Sequence, residues 1–112
     1  LLSIYPTFID LCGLPANARL EGVSLRPLLE DPKSDWEHVA ISTLAQNNQT
    51  VRDELCRYIR YADCSEEFYY HLSDPNEWNN IAAEPLPPGL HAKVIARLKK
   101  HLPTTNLPQQ RD

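Results

Sequence analysis

Four short segments between residues 39 and 72 constrain the fold of this chain more than any other feature of its sequence. Their β-branched and aromatic residues are typical of strands. The links between them are only a few residues long, and consecutive strands with such short links pair antiparallel. The sequence therefore predicts a meander of about four strands, over Val39–Leu44, Gln49–Asp53, Cys56–Ala62 and Glu66–Leu72.

Helical patterns flank these strands on both sides. Residues 3–13 are predicted as a helix with Ser3 as N-cap and Gly13 as the stop, and a short helical turn is predicted at Leu25–Leu29. Leu90–His101 has one apolar stripe and is predicted as an amphipathic helix that covers one sheet face. The fold class is therefore α+β, a small antiparallel sheet of about four strands packed against a C-terminal helix and preceded by a helix.

A further helical turn is predicted after the last strand, at Asp74-Pro75-Asn76-Glu77. Asp74 fits the N-cap, Pro75 fits the first helical position, and Glu77 fits the third, where it completes a capping box. Trp78 and Ile81 are then expected to point inward.

Composition and charge exclude several classes of protein. The chain has 112 residues, of which 42% are hydrophobic, which suits one modest core. The net charge of −4 argues against binding to nucleic acid, which requires a basic face. The first fourteen residues are too short and too interrupted for a membrane span. Because the chain begins with Leu1 and contains no methionine, we expect either a processed product or an excised piece of a longer protein, and we favour the excised piece.

The three cysteines, Cys12, Cys56 and Cys64, form no C-x-x-C pair, so zinc and dithiol redox sites have no support. A bridge between Cys56 and Cys64 is one alternative, and free thiols are the other, preferred one. The four histidines lie far apart in the sequence and at no metal-ligand spacing. No metal ligand or catalytic residue is therefore predicted within the chain.

Four segments resemble, in order and spacing, sulfatases of the iduronate-2-sulfatase-like type. They are IYPTFIDLCGLP (4–15), LEGVSLRPLLEDP (20–32), NQTVRDELCRYIRYADCSEEFYYH (48–71) and DPNEWNNIA (74–82). The resemblance implies that residues 1–35 are a helix and linker leading out of a missing N-terminal sulfatase domain. Residues 36–103 would be the C-terminal subdomain of the sulfatase and alkaline-phosphatase-like fold, and 104–112 a flexible tail.

The same resemblance implies a parent enzyme that hydrolyses sulfate esters, with carbohydrate sulfates as substrates. Its cofactors would be a formylglycine nucleophile, made in a C/S-x-P-S-R motif, and a calcium ion. It would be an exported protein, whether periplasmic, extracellular or lysosomal. No cysteine here opens that motif and no Asp-Asp pair is present, so this segment alone is predicted to be inactive.

Asn48, Thr50 and Arg52 are the candidate substrate-binding residues, because similar sulfatases have a polar run before a Val-Arg strand at this place. In this interpretation the loop faces the catalytic cleft and Arg52 pairs with an anion. The alternative for these residues is a solvated turn with an arginine that forms an ion pair with the large domain. For the whole chain, the alternative to a sulfatase segment is an independent, non-enzymatic α+β interaction module descended from a sulfatase.

Overall fold

A computed structural model describes residues 1–84 and 90–103 and contains two compact units. The first is Leu1–Glu37, with helices α1 (Ile4–Leu11) and α2 (Arg26–Glu30). The second begins at His38 and contains the sheet and the last helix. The predicted boundary after residue 35 stays a prediction, and the predicted tail at 104–112 lies outside the described residues.

The sheet is the predicted four-stranded antiparallel meander, in the order β1-β2-β3-β4. Its predicted strands are confirmed, with ends that differ by one or two residues. Their bounds are Ala40–Leu44 (β1), Asn48–Arg52 (β2), Cys56–Arg60 (β3) and Glu66–Tyr70 (β4). Val51 pairs with Tyr58, and Tyr58 pairs with Phe68.

Helix α3 (Leu90–Lys99) covers one face of this sheet, as predicted. The row formed by Val51, Tyr58 and Phe68 is completely buried, and Leu98 of α3 packs against it. Burial of side chains of this size contributes about 1.5–3 kcal/mol each. This inner face of the sheet is the core of the second unit.

Ion pairs hold the end of α3 to the strands around that core. Lys99 Nζ lies 2.6 Å from Glu66 Oε1 and 5.1 Å from the centre of the Tyr58 ring. The hydrogen bond from Lys99 lowers the pKa of the Glu66 carboxyl. Arg97 pairs with Asp53, which follows β2. Leu98 of α3 therefore packs against the sheet, and Arg97 and Lys99 form ion pairs with Asp53 and Glu66.

All three cysteines are free thiols, so the alternative of a bridge between Cys56 and Cys64 is wrong. Cys56 lies in the core, whereas Cys12 and Cys64 are exposed. Burial raises the pKa of the Cys56 thiol to about 11. The thiol is thus protonated at neutral pH and acts as a small core side chain.

Polar contacts, rather than an apolar core, connect the two helices of the first unit. Thr7 Oγ1 accepts a hydrogen bond from the Leu25 N–H at 2.9 Å. Asp10 accepts one from Ser24 Oγ at 2.7 Å and pairs with Arg26 at 3.2 Å. Gly13 has the left-handed conformation expected of a helix stop, at φ 65°, but the Ser3 side chain makes no capping bond.

The segment after β4 forms turns instead of the predicted capped helix. Asp74 accepts hydrogen bonds from the Trp78 and Asn79 N–H groups at 3.1 and 2.8 Å, which lowers the pKa of its carboxyl. Glu77 does not complete a capping box, because its backbone is left-handed at φ 57°. The prediction of an inward Trp78 is wrong, since this residue is 80% exposed, whereas Ile81 does pack against the core.

Cys64, in the turn between β3 and β4, provides a test of backbone strain. Its φ is 69°, a conformation that disfavours residues with a Cβ. We expect Cys64→Gly to raise the free energy of unfolding by about 0.5–1 kcal/mol, measured by urea denaturation. Cys64→Ala is the matched control, because it removes the exposed thiol but keeps the Cβ. An equal gain in both variants would show that the thiol, not the backbone, is responsible.

Candidate functional site

The sheet face opposite α3, here called the outer face, contains all three predicted substrate-binding residues. Asn48, Thr50 and Arg52 alternate along β2 with the buried Gln49 and Val51. Successive side chains of a strand point to opposite faces, so the three share the outer face. The structure therefore brings the predicted residues together, while their role in binding stays a prediction.

Two arginines stand side by side on the outer face. Arg52 of β2 pairs in register with Arg57 of β3. Directly opposed residues have Cβ atoms about 4.5–5.5 Å apart, and like charges at that distance destabilise a sheet. Arg57 lies on the opposite face from Arg60, which bonds to Gln49 on the inner side, because the two arginines are three residues apart on one strand.

Glu77 offsets the charge of this arginine pair. Its carboxylate lies 2.9 Å from Arg57 Nη1, 3.9 Å from Arg52 Nη1 and 2.8 Å from His71 Nε2. The Glu77 side chain is only 18% exposed, so these contacts are poorly screened by solvent. The turn after β4 thus places one carboxylate among three basic side chains.

Side-chain donors of Arg52, Arg57 and Thr50 on the outer face lack a close hydrogen-bond partner among the described residues. The Arg52 side chain is half exposed, and its contact with Glu77 is longer than a hydrogen bond. Arg57 Nε and Thr50 Oγ1 are buried and have no hydrogen-bond partner among the described residues. A buried polar group without a partner costs about 1–3 kcal/mol, and these two atoms are closed off from solvent. The half-exposed Arg52 guanidinium is therefore the group of the three that an outside acceptor can reach.

A second carboxylate on the outer face is Glu67 of the edge strand β4. It accepts hydrogen bonds from Tyr61 Oη at 3.0 Å and from Tyr69 Oη at 2.7 Å. Burial and the bond to Glu67 raise the pKa of Tyr69 to about 12, and the bond to Glu67 also raises the pKa of Tyr61. Both phenols therefore stay protonated, and each oxygen of the Glu67 carboxylate already accepts one hydrogen bond.

Asn48 lies at the other end of the face, where its amide is engaged with the backbone. Its Oδ1 accepts from the Ala62 N–H at 3.2 Å and its Nδ2 donates to the Gln46 carbonyl at 3.2 Å. Asn48 also lines a surface pocket of about 350 Å³ with Tyr61, Asp63 and Ser65. The hydrogen bonds of Asn48 therefore connect β2 to the turn segments at Gln46 and Ala62 beside that pocket.

The described residues contain neither a cluster of metal ligands nor a helix that could span a membrane. Within residues 1–84 and 90–103, no group of three or more His, Cys, Asp or Glu side chains could hold a metal ion. The calcium ion that the resemblance implies therefore has no fitting set of ligands in this part of the chain. No described helix is both long enough and apolar enough to span a membrane.

Sequence reasoning missed the roles of Arg57, His71 and Glu77. The position of Arg57 opposite Arg52 follows from strand register, which strand composition does not determine. The one available signal was the number of residues between Arg52 and Arg57, which is compatible with a tight hairpin that pairs them. The position of Glu77 depends on the path of the turn after β4, and nothing in the sequence indicated that path.

The two arginines should differ in their contribution to stability. Arg57→Ala leaves the partly buried Glu77 without its closest cation, so the free energy of unfolding should fall by about 1–2 kcal/mol. Arg52→Ala should change it by less than about 0.5 kcal/mol, because Arg52 is half exposed and relief of the like-charge pair offsets the lost attraction. Urea denaturation of both variants measures this, and equal losses would contradict the assigned difference.

The comparisons with known proteins point to one group of enzymes. The chain is 42% identical over 106 residues to a sulfatase of Formosa agariphila, a match that covers 95% of this chain and 20% of the relative. It is 31% identical over 96 residues to arylsulfatase K of Danio rerio, which covers 75% of this chain and 18% of the relative. No protein-family model matches the chain.

Solved structures agree with these relatives. A 2-O GAG sulfatase has a TM-score of 0.70 with 27% identity, over 88% of this chain and 22% of that one. A second protein, solved in complex with its substrate D-glucosamine-2-N,6-O-disulfate, has a TM-score of 0.66 at the same identity and coverage. In sequence and in fold, the chain is therefore a sulfatase-like segment, which spans about a fifth of the length of the curated relatives it matches.

Proposed function

We propose that this chain is the C-terminal segment of a sulfatase that hydrolyses carbohydrate sulfates, and that it supports the fold and lines the substrate cleft. The observation that carries the proposal is the 42% identity to a sulfatase along 95% of the chain. That match is too long to come from the sheet alone. On the order of its four sequence segments, we assign the parent to the iduronate-2-sulfatase-like type.

In this proposal the chemistry belongs to parts of the parent chain outside this segment. The formylglycine nucleophile and the calcium ion would be held there, because none of the three cysteines opens the required motif. The exposed apolar side chains of α1 support a larger parent. Tyr5, Phe8 and Leu11 are 60%, 62% and 51% exposed, and apolar surface of this kind is favourably covered by another protein surface.

The contribution of this segment to the substrate cleft would come from the outer face. Arg52 offers a half-exposed guanidinium with open donors, and the planar fork of arginine suits a sulfate group. A similar structure binds a sugar that has two sulfate groups. By analogy, Arg52 would hold an anionic group of the sugar and orient it.

The first test concerns the segment by itself. We expect the 112-residue chain, folded by circular dichroism, to show no hydrolysis of 4-nitrophenyl sulfate, because it lacks the nucleophile. The full-length parent protein should hydrolyse the same ester. Turnover by the isolated chain would overturn the assignment of chemistry to other parts, and an inactive parent would favour a non-enzymatic interaction module.

A second test concerns Arg52 in the full-length protein. Arg52→Ala should raise KM for D-glucosamine-2-N,6-O-disulfate about tenfold, since it removes a charge-assisted hydrogen bond. It should leave kcat within about twofold, because the interaction is made equally in the ground and transition states. Arg19→Ala, at an exposed loop position of the first unit, is the control. An unchanged KM in Arg52→Ala would remove Arg52 from the cleft.

A further inference from the structure

Glu77 occupies a strained backbone position in order to reach the arginine pair. A φ of 57° costs a residue with a side chain about 1 kcal/mol or more, and nothing in the turn itself requires a glutamate there. The strain is offset by contacts of 2.9 Å with Arg57 and 2.8 Å with His71. The left-handed backbone of Glu77 thus places its carboxylate beside the basic side chains of the outer face.

The distances show how Glu77 divides the charge of the pair. Its short ion pair is with Arg57, whereas Arg52 lies 3.9 Å away and is half exposed. The two arginines and Glu77 together have a net charge of +1, since His71 adds charge only when protonated. Glu77 therefore cancels the charge of Arg57 and leaves the Arg52 guanidinium as the open cation.

Resting on the proposed function, we propose that Glu77 is a specificity-determining residue that disfavours phosphate monoesters relative to sulfate monoesters at Arg52. A sulfate monoester has one negative charge, whereas a phosphate monoester has nearly two at neutral pH. Coulomb energy is proportional to the charge of the ligand, so Glu77 repels the phosphate monoester about twice as strongly. The arginines attract the phosphate monoester more strongly in the same proportion, so Glu77 lowers the preference for phosphate, and a neutral residue at this position would raise it.

The test follows binding at Arg52 itself, in the full-length protein. With nitrogen-15-labelled arginine, the Arg52 Nε–H signal is assigned through its loss in Arg52→Lys and then titrated with methyl sulfate and methyl phosphate. Glu77→Gln should tighten methyl sulfate binding about threefold and methyl phosphate binding about tenfold, because the gain in log affinity doubles with ligand charge. This difference between the two anions is the predicted signature.

Two further variants keep the result interpretable. Glu77→Gly removes the same charge and also relieves the backbone strain, so it should shift both affinities in the same direction even if Glu77→Gln is unstable. Glu67→Gln removes a carboxylate from the same face, about 12 Å from Arg52 by strand spacing. That distance exceeds the Debye length at about 0.1 M salt, so this control should change neither affinity by more than about twofold.

The possible results distinguish a failure of the Glu77 proposal from a failure of the proposed function. Weaker or equally changed binding of both anions in the Glu77 variants would show that Glu77 only holds the arginines in place, and would overturn the inference while the proposed function stands. A wild-type Arg52 signal that does not respond to methyl sulfate would overturn the role of Arg52, and the inference with it.

Discussion

The register of the meander is the constraint on which both faces of the second unit depend. It places Val51, Tyr58 and Phe68 in one completely buried row under Leu98. Side chains alternate along a strand, so a slip of one residue would expose this row and turn the arginines toward α3. Burial of three large side chains strongly disfavours such a slip. The pairing of Arg52 with Arg57 is thus a consequence of the core rather than a separate feature.

This dependence explains what the sequence could and could not predict. Strand composition and short links were sufficient for the four strands, and the family resemblance selected Asn48, Thr50 and Arg52, which the observed strand β2 places on one face. The partner of Arg52 was not predictable in the same way, because register is decided by side chains that meet only in the folded sheet. The buried atoms of Arg57 and Thr50 that lack a hydrogen-bond partner became visible only with that register.

The turn after β4 shows a different limit of sequence reasoning. Asp-Pro-Asn-Glu has the residue types and spacing of a helix start, and the same types also suit a turn. Here the Asp74 carboxylate accepts from the Trp78 and Asn79 N–H groups, and Glu77 instead reaches Arg57 and His71. Contacts between a turn and a distant strand decided the outcome, and local propensity cannot include them.

The first unit shows how local polar bonds can define a helix position without a core. Thr7 and Asp10 bond to the segment that precedes α2, which fixes one side of α1 while its apolar side chains remain exposed. A stripe of that kind on a short helix is stable only if its exposure is tolerated or if another surface covers it. The chain spans about a fifth of its relatives' length, and under the proposed function the rest of the parent sulfatase would supply that surface. The outer face differs, because its accessible group is the half-exposed Arg52 guanidinium rather than an apolar side chain. Under the proposed function, a sulfated ligand would supply the acceptor atoms and the negative charge that suit this cation.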